Sequence, residues 1–252
     1  MSATVPTTSP PIPAGRVALV TGGSGGIGAA TCRALAAAGH TVLVGYGRDA
    51  EAAGKVAADA GAAEPVHLDV TDPASVAATV ARAGELGALG VVVNAAGIAD
   101  DDLLLRLEAD RFDRTLEINL RGAYLVTRAA LRPMLRARFG RVVNIASVVG
   151  LRGNAGQSAY AASKSGLIGF SKSLAREVAR KQITVNVVAP GFVATAMTRA
   201  LAPDARQALI DQAPQARAVE VEEVAAAVTF LASEQAGAIT GAVLPVDGGA
   251  AM

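Results

Sequence analysis

Tyr160 and Lys164 stand four positions apart in the run Ser158-Ala159-Tyr160-Ala161-Ala162-Ser163-Lys164, a spacing that puts both on one face of a helix. Reduction of a carbonyl takes a hydride to carbon and a proton to oxygen, so it needs a proton donor that works near neutral pH. A free phenol, with a pKa of about 10, holds its proton too tightly for that. An ammonium alongside favours the phenolate and brings the value down, and Lys164 is the cation in reach. Ser147 lies 13 residues before Tyr160, just past the apolar run Arg141 to Ala146, and strand ends of this kind are where a doubly wound sheet binds ligands. Read singly, Ser147 is a turn residue, Tyr160 a packing residue and Lys164 a solvated cation; their joint placement points to chemistry. Asn119, within Leu116-Glu117-Ile118-Asn119-Leu120-Arg121, is a poor helix former inside a helical stretch and could mark a local bend.

The segment Val17-Ala18-Leu19-Val20-Thr21-Gly22-Gly23-Ser24-Gly25-Gly26-Ile27-Gly28 reads as a buried strand, a glycine turn and the start of a helix. Glycines there let the backbone approach a pyrophosphate, and the first helical amides offer donors and a positive dipole end. The turn fits two registers: Gly23-x-Gly25-x-x-Gly28, the general dinucleotide fingerprint, and Thr21-Gly22-x-x-x-Gly26-x-Gly28, a narrower variant. At the end of the next strand, where an acid would bind the ribose of NAD, stand Gly45-Tyr46-Gly47-Arg48. Small residues followed by Arg48 leave room and a cation for a 2′-phosphate, which favours NADP(H) over NAD(H). Asp49 pulls the other way, being close enough to act as a displaced ribose ligand.

These residues need a scaffold, and the chain of 252 residues is long enough for one α/β domain. Its 52% apolar residues, 27 glycines and 18% charged residues suit a parallel sheet covered on both faces by helices. Strands are expected over Val17 to Thr21, Thr41 to Tyr46, Val66 to Asp69, Val91 to Asn94, Arg141 to Ala146, Thr184 to Ala189 and Val243 to Val246. Helices are expected over Ile27 to Ala38, Ala50 to Ala60, Pro73 to Arg82, Glu108 to Arg138, Ser158 to Arg180 and Val221 to Ala232, with Pro133 loosening the last turns of the fourth. The expected fold is a single-domain, Rossmann-type, doubly wound, mostly parallel sheet of seven strands over residues 16–252, after a disordered tail from Met1 to Gly15. That tail lacks the charged start and apolar run of a signal peptide, and no stretch offers the roughly 20 apolar residues a membrane span needs. A cytoplasmic protein is the default. A net charge of +1 gives no basic field for nucleic acid or membrane. Cys32 is the only cysteine and is expected as a buried helical thiol; His40 and His67 lie outside every motif, so no metal site is expected.

Thr21-Gly22-x-x-x-Gly26-x-Gly28, Asn94-Ala95-Ala96-Gly97, Asn119, Ser147, Tyr160-x-x-x-Lys164 and Pro190-Gly191 occur in the order that resembles the short-chain dehydrogenase/reductase family. The resemblance implies that Tyr160 is the general acid for reduction or base for oxidation, that Lys164 also binds the nicotinamide ribose, that Ser147 hydrogen-bonds the substrate carbonyl, and that Asn119 holds a proton-relay water. It further implies that Gly22, Gly23, Ser24, Gly25, Gly26, Ile27 and Gly28 cradle the pyrophosphate and that Asp69 and Val70 hold the adenine. Asn94 and Gly97 should lie near the adenosine ribose, and Val193 and Thr195, after Pro190-Gly191, near the carboxamide. Two departures stand out: Ala95 where a second Asn is usual, and Gly25 where many NADP-dependent relatives carry a basic residue.

Within the family the likeness is greatest to bacterial 3-oxoacyl-[acyl-carrier-protein] reductases, through Gly140 to Gly150, Gly166 to Glu177 and Val185 to Phe192. Acetoacetyl-CoA reductases are similar, and an NADP(H)-binding sensor without turnover is the reading from another class. An acidic carrier protein would need cations beside the active-site entrance, and Arg138 and Lys181 match such docking positions, with Arg141 and Arg180 nearby. Phe192 to Pro214, with Phe192, Val193, Met197 and Leu201, is long enough for a lid over an acyl-thioester substrate. The resemblance also implies a homotetramer built on Glu108 to Arg138, Ser158 to Arg180 and Gly241 to Gly249.

Overall fold

The computed structural model describes residues 16–195 and 203–252; the tail Met1 to Gly15 and the lid positions Met197 and Leu201 lie outside them. Seven parallel strands form one sheet in the order β3-β2-β1-β4-β5-β6-β7. They are β1 (Arg16–Thr21), β2 (Thr41–Tyr46), β3 (Ala63–His67), β4 (Ala88–Asn94), β5 (Gly140–Ile145), β6 (Ile183–Pro190) and β7 (Val243–Val246). The helices are α1 (Gly26–Ala37), α2 (Ala50–Ala60), α3 (Pro73–Leu86), α4 (Ala109–Leu116), α5 (Gly122–Ala137), α6 (Val149–Arg152), α7 (Ser158–Val178), α8 (Pro203–Ile210) and α9 (Val221–Ala232). This is the Rossmann-type doubly wound architecture, with the strand order reversing direction between β1 and β4.

The pleat explains how one strand serves two cores. Ala18 and Val20 face the cluster built with Cys32, Leu35, Val56, Val224 and Val228 of α1, α2 and α9. Val17 and Leu19 face the other, with Val76, Val126, Met134 and Leu174 of α3, α5 and α7. Successive side chains of a strand point to opposite faces, so a strand buried on both must be apolar throughout. Cys32 is fully buried, and desolvation pushes its thiol up to about 12. That leaves it a packing group.

Two elements differ in kind from the sequence expectation. The third strand is Ala63–His67, earlier than Val66 to Asp69, because Leu68 and Val70 are buried just after the ladder has ended; apolarity there marks burial and not strand pairing. Pro65 is tolerated since β3 is an edge strand. The long fourth helix divides into α4, a π-helical turn over Glu117–Arg121 and α5. Pro133 sits within α5, which continues to Ala137 and ends with Arg138 in the left-handed region at φ 50°.

Polar side chains fix the central strands at the end where ligands bind. Asn94 Nδ2 donates to Thr127 Oγ1 at 2.9 Å and to Asn144 Oδ1 at 2.7 Å, while Asn144 Nδ2 donates to Ser171 Oγ at 2.7 Å. This chain ties β4 and β5 to α5 and α7. Asn144→Ala should cost about 1–3 kcal/mol by stranding buried donors and acceptors, measured as a lower midpoint in urea unfolding with an unchanged slope.

Candidate active site

Ser147 follows β5 by two residues, and its Oγ accepts from the Val149 amide at 3.2 Å, which starts α6. α6 lies directly on α7: a Cβ at Gly150 would come within 2.8 Å of Lys164 Cβ, and Ser165 Oγ donates to the Gly150 carbonyl at 2.6 Å. Glycine at 150 thus lets the turn bearing Ser147 sit against the helix bearing Tyr160 and Lys164. Those three residues meet at the carboxyl end of β5.

The Lys164 ammonium is buried and donates to the carbonyl of Ile145, the last residue of β5, at 2.8 Å. Desolvation lowers it from 10.5 to about 8. Tyr160 is half-buried, with Lys164 Nζ 5.5 Å from its ring centroid. Its phenol is pushed up to about 12 by desolvation, with the Asp101 charge adding to the rise and a hydrogen bond with Ser147 opposing it. The hydrogen bond of the Lys164 ammonium goes to Ile145 and not to the phenol. At neutral pH the geometry holds a protonated phenol beside a charged amine.

Asn119 lies in the π-helical turn, a rare feature that often accompanies functional sites. Its Oδ1 accepts from the Ile98 amide at 2.8 Å, and its Nδ2 donates to the Ile98 carbonyl at 2.9 Å and to Ser163 Oγ at 3.1 Å. Both amide hydrogens are thus committed to protein. Gly97 lies against this group: a Cβ there would stand 3.1 Å from Asn119 Oδ1 and 3.5 Å from Lys164 Nζ. Gly97 therefore belongs beside the proton-handling residues, while the Asn94 side chain turns into the core.

The glycine turn fits a nicotinamide dinucleotide. α1 starts at Gly26 with no side-chain cap and no acidic residue in its first turn, leaving donors and a positive end for an anion. Gly22, at φ 64°, would place a Cβ 2.8 Å from Ala96 Cα, and Gly28 would place one 2.1 Å from the Gly22 carbonyl oxygen. Gly25 and Gly26 are exposed, with Ser24 and Ile27 half-buried between the tighter positions. The Thr195 side chain closes the other side, 3.0 Å from where a Gly26 Cβ would lie.

The remaining expected positions fall around this cradle. Arg48 is exposed just after β2, and Asp49 caps α2 by accepting from the Ala52 amide at 2.9 Å. Asp69 is exposed, its Oδ1 accepting from the Thr71 amide and hydroxyl at 2.9 and 2.7 Å, and these bonds hold its carboxyl below the ordinary value. Val70 is buried against Gly122. Pro190 ends β6, Gly191 packs on the backbone of Asp247, and Val193 pairs with Val219 in a parallel bridge. Among the described residues no cluster of three potential metal ligands occurs.

The cations expected near the entrance have defined places in the single chain. Arg138 precedes β5 and Lys181 precedes β6, so both sit at the amino ends of strands whose carboxyl ends carry Ser147 and Pro190. Strands in this sheet all run the same way, which puts the two residues across the sheet from the site within one chain. Arg141 is buried, stacks 4.3 Å from the Phe139 ring and donates to the Ser233 carbonyl at 3.0 Å. It is a core residue.

Thr21 opens the narrower glycine motif, and the structure gives its hydroxyl a task that spacing does not show. Its Oγ1 accepts from the Ala95 and Ala96 amides at 3.1 and 3.0 Å, fastening the loop after β4 to the glycine turn. A hydroxyl ending an otherwise apolar strand was the available signal.

A family model described as enoyl-(acyl carrier protein) reductase matches residues 22–251. The chain is 47% identical to the 3-oxoacyl-[acyl-carrier-protein] reductase FabG of Salmonella typhimurium over 237 residues, covering 93% of this chain and 97% of that protein. It is likewise 47% identical to the FabG of Escherichia coli, with the same coverage, and to that of Pseudomonas aeruginosa over 240 residues, with 93% and 97% covered.

The 2.1 Å approach at Gly28 sets a direct test of the cradle. Gly28→Ala should force the turn apart, cost about 1–3 kcal/mol and weaken binding of a reduced nicotinamide dinucleotide at least tenfold, read by cofactor fluorescence alongside thermal unfolding.

Proposed function

The chain belongs to the short-chain dehydrogenase/reductase family, and on that premise we propose that it uses NADPH to reduce 3-oxoacyl thioesters to 3-hydroxyacyl thioesters in fatty acid biosynthesis, with the acyl group carried on acyl carrier protein. The observation that carries this reading is the meeting of Ser147, Tyr160 and Lys164 at the carboxyl end of β5, beside a glycine turn shaped for a dinucleotide. The relatives named above are oxidoreductases of the carbonyl and alcohol level, and they match along almost their whole length.

Gly22 to Gly28 would hold the pyrophosphate, and Arg48 would face the 2′-phosphate that distinguishes NADPH. The bound nicotinamide supplies the hydride to the carbonyl carbon. Ser147 donates a hydrogen bond to the substrate oxygen and orients it. Tyr160, a phenol and so protonated at neutral pH, gives its proton to that oxygen, so the carbonyl becomes an alcohol. Lys164 favours the phenolate left behind, and Asn119, bonded to Ile98 and Ser163, would hold the loop after β4 against α7 beside that group.

The description of the matching family model concerns a carbon–carbon double bond, whereas a hydroxyl pair directed at one oxygen suits a carbonyl. Acetoacetyl-CoA reduction uses the same site and differs in the carrier. For assembly, the proposed homotetramer would use the α4, α5 and α7 face, where Leu116, Leu120, Tyr124 and Phe170 line a groove of about 610 Å³. Among the described residues no helix is long and apolar enough to cross a membrane.

NADPH absorbance followed with a carrier-bound 3-oxoacyl thioester, acetoacetyl-CoA and an enoyl thioester tests the reading. Oxidation with the first two and none with the third is expected, and Tyr160→Phe should lose roughly 100-fold or more in kcat while binding NADPH normally. Tight binding with no oxidation by any of them would make the protein a sensor.

A further inference from the structure

Three consecutive aspartates follow β4 in the loop that begins at Gly97, and they are not used alike. Arg111 takes Asp100 and Asp102, its Nε 3.0 Å from Asp100 Oδ2 and its Nη1 3.3 Å from Asp102 Oδ2. Arg106 Nε adds a bond to Asp102 Oδ1 at 3.0 Å. Asp101 faces the other way: its Oδ2 accepts from Gln157 Nε2 at 2.7 Å. Gln157 immediately precedes α7 and stands three residues before Tyr160. Its Oε1 in turn accepts from Asn154 Nδ2 at 2.9 Å, which fixes the orientation of the amide.

The neighbouring backbone reinforces the contact, since the Asp102 amide donates to the Gly156 carbonyl at 2.9 Å. At its other end the loop is held by Ile98, bonded to Asn119, which also reaches Ser163 on α7. The loop is therefore fastened at both ends to the helix that carries Tyr160 and Lys164. We propose that Asp101 is a positioning residue for proton donation, acting on Tyr160 by fixing this loop to the start of α7 through Gln157 and by setting a negative charge near the phenol.

Among the described residues three groups bear on the phenol. The Ser147 hydroxyl faces it from the end of β5 and the Lys164 ammonium from its own helix, while Asp101 bears on it from the loop. Asp100 is the charge acting on Asp101 and is itself paired with Arg111. Of these, Asp101 and burial both oppose the phenolate. The role assigned to Tyr160 rests on the reductase reading; the coupling of Asp101 to Tyr160 does not.

The chain has three tyrosines and no tryptophan, so the ionisation of Tyr160 is isolated as tyrosinate absorbance of the wild type minus that of Tyr160→Phe, read just after a pH jump and before unfolding. Asp101→Asn keeps an acceptor oxygen for Gln157 and removes the charge, so its Tyr160 ionisation constant should rise about threefold or more with KM for the thioester near the wild-type value. Gln157→Ala keeps the charge and removes the clasp, so KM should rise several-fold with a smaller change in ionisation. Coincident titrations of the wild type and Asp101→Asn, or an unchanged KM in Gln157→Ala, overturn the proposal. A wild type that binds NADPH yet reduces no thioester would sink the reductase reading while the titration still decides the coupling.

Discussion

The site depends on one buried bond, from the Lys164 ammonium to the carbonyl of Ile145 at the end of β5. A cation taken out of water either finds a partner or gives up its proton. Here it finds a carbonyl that the parallel sheet has no further use for, because β5 ends there. The depression to about 8 leaves Lys164 charged at neutral pH, with the charge present below about 8 and lost above it. Burial acts oppositely on the neighbouring phenol, which it pushes up to about 12. Environments that separate two such groups define a donor and a cation without needing them to exchange roles.

Close backbone approaches make that bond possible. Gly150 lets α6 lie on Lys164, Gly97 lets the loop after β4 lie on Asn119 and Lys164, and Gly28 lets α1 lie on the glycine turn. Each position would place a Cβ in tight or forbidden contact. The sheet brings the loops together, and these glycines set how near the loops come. Thr21 joins the two halves by holding the Ala95 and Ala96 amides, so the cradle and the proton-handling group share one frame.

The sequence made the Tyr160–Lys164 pair, Ser147 and the glycine turn legible because their spacing has one geometric reading on a strand-turn-helix frame. Helices α2 and α9 and strands β2 and β7 have the bounds that periodicity suggests. What sequence hid was long-range or electrostatic. The π-helical turn at Asn119 arises from bonds to Ile98 and Ser163, residues 21 and 44 positions away, and only the fold brings them together. Desolvation of the Tyr160 phenol is likewise a property of the fold that spacing does not carry.

The central claim is that Lys164 is a buried cation poised to lose its proton just above neutrality. The chain has four lysines, at 55, 164, 172 and 181, so a heteronuclear NMR titration of side-chain-labelled protein, assigned by the spectrum of Lys164→Arg, follows this ammonium directly. A midpoint near about 8 is the predicted result. A midpoint at the ordinary value of about 10.4 would mean that the amine is solvated, and the account of the site built on its burial would be contradicted.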